Sequence, residues 1–170
     1  MNWFRVVTVV GIGLLGSVST LVAGERGPST PEERAQFVER VRVLEANPLA
    51  EGARETRQSL FEWLTEVPDI EAKVCADLLT KARDDKYPYA GEVTLHELLA
   101  AGSFAIQHPD KTKEDLAMYM AGVEGALRVY EAILKVKPES KWPPLGELVA
   151  LRDHGDLISY VAKVAKKKCK

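Results

Sequence analysis

His96 and Glu97 come nearest to a known catalytic pattern in this sequence. On a helix, H-E-x-x-H sets two imidazoles one turn apart so that both reach one zinc ion, with the glutamate as general base. Here Ala100 stands four positions after His96 and cannot ligate. The remaining histidines, His108 and His154, are distant in sequence and fall at expected helix ends, where an imidazole ordinarily faces the negative pole of the helix dipole. Nucleophilic chemistry finds no better footing. Cys75 lies on an apolar helical stripe with no histidine near it in sequence, a setting that leaves a thiol inert. Ser103 follows Gly102 inside a helical stretch, without the preceding strand that a nucleophile elbow needs. The acidic pairs Glu32-Glu33, Asp84-Asp85 and Glu114-Asp115 stand at turns or helix starts, where solvent and the helix dipole account for them. We therefore expect no catalytic residue, no metal ligand and no cofactor, although a site assembled from distant residues would leave no local pattern.

One phosphate-binding pattern is present to the letter. Gly11-Ile12-Gly13-Leu14-Leu15-Gly16 matches G-x-G-x-x-G, and the six residues resemble the opening of dinucleotide-binding dehydrogenases. That resemblance implies a helix after the third glycine, then a second strand ending in an acid roughly 20 positions on. Gly27, Pro28 and Pro31 occupy the place of that strand, and proline removes a ladder donor there. A secretory leader accounts for more of the same residues. Arg5 supplies a positive n-region, residues 6–18 carry no charge, and STLVAG (residues 19–24) is a small-residue stretch with Val22 and Gly24 suited to the cleavage site. Glu25 stands where a lipoprotein leader would carry cysteine. We expect residues 1–24 to be a signal peptide and residues 25–170 to be one helical domain, secreted or periplasmic.

The leader holds Arg5 and no acid, so the remaining 146 residues balance 22 bases against 25 acids, a net charge of −3. Nucleic-acid binding calls for a clustered basic excess, and none is present beyond the tail KVAKKKCK, which reads as a solvated helix end. No segment after residue 24 approaches the ~18 uncharged apolar residues of a spanning helix, so no membrane span is expected in the mature chain. With 46% hydrophobic residues, the composition fits a folded core.

The elements that would position any site read as helices. Thr30-Pro31-Glu32-Glu33 is a capping box with proline at the first helical position, and Phe37, Val38, Val41 and Leu44 follow at helical spacing. After Asn47-Pro48, a second helix carries Leu49, Ala53, Leu60, Phe61 and Leu64. A third is expected through Ile70, Val74, Cys75, Leu78 and Leu79. The segment DDKYPYAG forms a loop, and a fourth helix with Leu95, Leu98, Leu99 and Ile106 ends near His108-Pro109. From Lys113 to Lys137, Leu116, Met120, Val123, Leu127, Tyr130 and Leu134 recur at alternating steps of four and three, the amphipathic period. Ala121, Gly122, Gly125 and Ala126 on that helix point to close approach of a neighbour, with room for a ligand as the other reading. A short helix through Leu148 and Leu151 ends at Asp153-His154-Gly155, and Leu157, Val161 and Val164 mark the last. ALRVYEAILKVKP resembles the second helix of a tetratricopeptide repeat. The bounding prolines Pro48, Pro68, Pro109 and Pro138 are, however, spaced 20, 41 and 29 apart, not at a constant 34. No sustained period-two alternation is recognised, and the expected fold is all-α, an irregular bundle of six or seven amphipathic helices.

Cys75 and Cys169 form an even pair that an oxidising compartment would join, closing a loop whose chain entropy predicts roughly 4–5 kcal/mol; the other reading leaves Cys75 buried and Cys169 free. Two aromatic loops hold their rings by proline, Tyr87-Pro88-Tyr89 and Trp142-Pro143-Pro144. Capping the end of a helical bundle is the first expectation for these rings; if the chain has a recognition surface, Tyr87, Tyr89 and Trp142 are its expected partner contacts. The expected function is a binding or interaction module for a protein or small ligand of the cell envelope. The alternatives are a small envelope enzyme and an inhibitor or immunity-type protein.

Overall fold

The computed structural model describes residues 26–83 and 86–169; the expected leader and its glycine motif lie outside the described residues. Among them are six α-helices: α1 (Pro31–Ala46), α2 (Ala53–Glu66), α3 (Ala90–Gln107), α4 (Asp115–Val136), α5 (Pro143–Asp153) and α6 (Leu157–Lys168). Two 3-10 segments, Ala76–Arg83 and Pro109–Lys111, complete an all-helical chain with no strand in the described part.

The boundaries have local causes. Thr30 accepts from the Glu33 backbone while the Glu33 carboxylate accepts from the Thr30 N–H at 2.8 Å, the reciprocal cap expected of α1. At the end of α5, the Gly155 N–H bonds the Arg152 carbonyl and the Asp156 N–H bonds the Leu151 carbonyl. That is a Schellman turn, and it needs the positive φ of 79° that Gly155 adopts without a Cβ clash.

The third helix is a correction. Residues 70–75 are not helical, and the 3-10 segment begins only at Ala76. Its register is broken again at Leu79, where φ is −113°. The cause lies in the preceding turn. Asp69 accepts from the Ser29 N–H at 2.8 Å and from its hydroxyl at 2.9 Å, and it pairs with Arg34. That ties the chain after Pro68 to the start of α1. From there Ile70, Ala72 and Val74 face the core, and between them Lys73 reaches out to Asp115 at 2.9 Å. The sequence I-E-A-K-V is thus a period-two segment that helical spacing obscured.

Helices α3 and α4 pack against each other along their length and carry the rest of the molecule. Against one side, α1 and α2 bury Phe37, Val41, Leu44, Leu60 and Leu64 with Leu99 of α3. Against the other, the Ala76–Arg83 segment, α5 and α6 bury Leu78, Leu79, Leu145, Leu157 and Val161 with Val123, Leu127 and Ile133 of α4. Small residues make the central seam close. A Cβ on Gly125 would stand 2.2 Å from the Ala100 Cβ, and one on Gly122 would stand 2.9 Å from the Glu97 carbonyl oxygen. The expected reason for mid-helix glycine, backbone approach, is what these positions show.

Cys75 and Cys169 are joined by a disulfide, with Cα atoms 5.6 Å apart. It fastens the end of α6 to the start of the Ala76–Arg83 segment. Beside it Lys168 pairs with Asp77 at 3.2 Å. Among the described residues, no helix is long and apolar enough to cross a membrane.

Candidate functional site

Two places combine polar chemistry with the core. The first surrounds His96, which α3 turns into the α1–α4 side of the seam. Its ring is fully buried, with 0% exposed. Nε2 lies 3.2 Å from Glu45 Oε1, but away from hydrogen-bond geometry, and neither ring nitrogen is hydrogen-bonded. Glu45, near the end of α1, is held from α4 by Arg128, whose Nε and Nη2 donate to its two oxygens at 2.7 and 2.9 Å. Arg57 of α2, also buried, donates to the Pro48 carbonyl at 2.9 Å and so fixes the turn between α1 and α2. Glu97 is buried one residue further on.

Burial pushes the His96 pKa down, and it outweighs the Glu45 carboxylate, which favours the imidazolium; Arg57 and Arg128 add to the depression. For Glu45, burial pushes the carboxyl pKa up. The His96 contact and the Arg128 pair outweigh it, and the net direction is down. An imidazole that titrates near 6.5 when unfolded but stays neutral when folded leaves the unfolded chain binding the extra proton below that pH. Stability therefore falls as pH drops through about 6.5, by up to about 1.4 kcal/mol per pH unit for one proton. Glu45, depressed in the folded state, contributes stability that is present above its unfolded value and lost as pH falls through the folded one. Urea midpoints measured from pH 7.5 to 5 should decline, and His96→Leu should flatten that decline. An unchanged slope in the variant would assign the pH dependence elsewhere.

The His96 ring is enclosed between α1, α3 and α4, while Glu45 and Arg128 also line surface clefts of 260 and 430 Å³. His108 and His154 cap the ends of α3 and α5, and both are exposed. No group of three or more metal-ligating side chains assembles among the described residues.

The second place is built from the two aromatic loops, which the fold brings together. The Tyr87 ring stacks on Trp142 at 5.6 Å and meets Tyr130 and Tyr89 edge-on at 6.2 and 6.0 Å. Tyr87 is only 2% exposed and its hydroxyl has no hydrogen-bond partner. Burial raises its pKa. Its expected role as a surface contact is corrected: the ring is core, and it backs Trp142. Tyr89 and Trp142 are half-buried. The Tyr130 hydroxyl accepts from the Trp142 N–H at 2.9 Å and donates to the Trp142 carbonyl at 3.3 Å, pinning the loop before α5 to α4.

Outside that pin, α4 and α5 leave a groove of 410 Å³. Leu134, Val149 and Trp142 give it an apolar floor, and Glu131 and Lys141 stand at its rim. Glu131 is occupied, since Arg152 donates two hydrogen bonds to it at 2.7 and 2.8 Å. A second, smaller cleft of 300 Å³ lies between the Ala76–Arg83 segment, α5 and α6, with Asp77 and Lys168 among its lining residues.

Several of these residues carried a readable signal. Arg57 occupies an apolar-stripe position between Ala53 and Leu60, and His96 sits one turn from Val93 and Leu99; a polar residue at such a position is a buried one. Nothing local announces that Glu45 meets Arg128 across 83 residues, or that Gly146 lines a groove. Comparison with protein-family models, with curated proteins and with solved structures finds no match to this chain.

Proposed function

We propose that the chain is an exported helical binding module whose contact surface is the groove between α4 and α5. The observation that carries this reading is the groove itself: apolar surface left open to solvent, on a loop fixed in place by the Tyr130–Trp142 bond pair and backed by the Tyr87 ring. A preformed site of this kind loses little entropy on binding. Its volume lies within the range of small-ligand sites. Export is supported by the leader composition and by the pairing of the only two cysteines. A bond between a mid-chain cysteine and the C-terminal one belongs to an oxidising compartment.

Amide chemical shifts of residues 25–170 under titration with small neutral apolar probes, isopropanol and benzyl alcohol, test the reading. Saturable shifts should gather at Leu134, Gly146 and Val149. Shifts spread evenly over the surface would contradict it.

A further inference from the structure

Charge on α6 has a single sign. Five lysines fall within residues 163–170, and no acid follows Asp156. Residues 25–162 carry 17 bases against 25 acids, so the tail opposes the charge of the chain before it. The inner side of α6 is packed. Leu157 and Val161 are buried, while Tyr160, Val164 and Lys168 line the cleft that also holds Asp77 and Glu147. Lys168 pairs with Asp77 there. The outer side presents Ile158, Ser159, Lys163, Lys166 and Lys167, all exposed. Lys163, Lys166 and Lys167 make no ion pair among the described residues. The helix dipole accounts for lysines in the last turn, but Lys163 stands a turn earlier. Other exposed helix faces of this protein balance their charge: Glu39 pairs with Arg42 on α1, and Glu124 faces Arg128 on α4. On α6, Lys163 and Lys167 stand four positions apart as like charges, a spacing that costs helix stability. The disulfide at Cys169 holds the last turn against the fold, so that repulsion is not relieved by fraying.

The choice of base indicates the form of the partner. Pairs that fix this fold use arginine: Arg34 with Asp69, Arg128 with Glu45 and Arg152 with Glu131. A guanidinium fork matches one carboxylate, whereas an ammonium is a point charge that a diffuse field satisfies. Protein interfaces are enriched in arginine and depleted in lysine. The outer face of α6 has lysine alone, with Ile158 beside it at 52% exposure. Lysines on an amphipathic helix next to an exposed apolar side chain suit a layer of anionic headgroups. We propose that the outer face of α6 docks the protein peripherally on an anionic lipid bilayer, with Lys163, Lys166 and Lys167 over the headgroups and Ile158 at the interface. No residue of α6 lines the α4–α5 groove, so this surface stands or falls independently of that reading.

Oxidised residues 25–170, which lack the apolar leader and its own affinity for lipid, are sedimented with vesicles of equimolar phosphatidylglycerol and phosphatidylcholine, and with vesicles of phosphatidylcholine alone. The protein should bind the anionic vesicles only, and salt at about 0.5 M should release it, since charges are then screened within a few ångströms. Each lysine held near such a surface contributes about fivefold, so Lys163→Gln, Lys166→Gln and Lys167→Gln combined should weaken binding about a hundredfold. All three side chains are exposed, and an unchanged helical circular dichroism spectrum confirms that the variant is folded. Lys111→Gln, Lys113→Gln and Lys137→Gln combined remove the same charge from exposed positions outside α6 and should leave binding nearly unchanged. Equal losses in the two triple variants would assign the attraction to net charge and overturn the proposal. Failure to bind anionic vesicles would overturn it too. So would binding to soluble polyglutamate without binding to vesicles, which would point to an acidic protein instead.

Discussion

Cys169→Ser is expected to lower the unfolding free energy by about 4 kcal/mol, the largest effect of any single substitution away from the apolar core. The bond spans 94 residues, so its loss returns a long loop's freedom to the unfolded chain. In the chain-entropy model a loop near 100 residues is worth about 4.7 kcal/mol. The folded side contributes little compensation. The last turn of α6 carries Lys166, Lys167 and Lys168, all exposed. Once released, that turn keeps the exposed Lys168–Asp77 pair, and exposed pairs contribute at most about 1 kcal/mol. The rest of α6 stays anchored by Leu157 and Val161, so the variant should remain helical. Urea unfolding of the oxidised parent, the reduced parent and the variant checks this. The reduced parent and Cys169→Ser should agree with each other and fall well below the oxidised protein. Equal stability of all three would mean that the bridge constrains nothing.

Gly125→Ala is expected to cost about 3 kcal/mol although it replaces glycine in the middle of a helix. Propensity alone favours the change by about 1 kcal/mol. Against it, the new Cβ would lie 2.2 Å from the Ala100 Cβ and 3.1 Å from Glu45 Oε1. Neither neighbour is a loose end. Ala100 is buried on α3, and Glu45 is held by Arg128. Helices α3 and α4 must separate by more than 1 Å, and overpacking of a tight core of this kind costs 1–3 kcal/mol or more. The separation would also loosen the Glu45–His96 contact, so the pH dependence of stability should weaken with it. Ala100→Gly supplied in the same chain removes the clashing partner and should recover most of the loss, a coupling that a double-mutant cycle reads directly. Additive losses in the cycle would place the strain elsewhere.

The sequence was most legible where a single face is buried. The spacing of Leu116, Met120, Val123, Leu127, Tyr130 and Leu134 marked α4; Val123, Leu127 and Tyr130 are in the core, Met120 and Leu134 are half-buried, and Leu116 is exposed. Thr30 with Glu33 fixed the start of α1, and Gly155 fixed the end of α5, because caps and positive-φ turns are properties of a few adjacent residues. Cys75 and Cys169 were legible by number alone. Residues 70–75 were not, because Ile70, Val74 and Cys75 satisfy helical spacing while Ile70, Ala72 and Val74 satisfy extended spacing. What decides between them is Asp69 bonding to Ser29, 40 residues away. The two aromatic loops were legible as rings held by proline, and the fold brings them together, yet which ring turns inward depends on α4. Tyr87 is buried against Tyr130, and Trp142 keeps an open side. The groove was illegible because it is made by Leu134 and Gly146 from different helices.

The proposal that the chain is exported and joined by the Cys75–Cys169 bond is tested by the intact mass of residues 1–170 expressed in a bacterium and recovered from its periplasm, with thiol alkylation before and after reduction. A chain beginning near Glu25, with both cysteines unreactive until reduced, is the predicted result. A chain that retains residues 1–24 and carries two alkylated thiols without reduction would contradict the account.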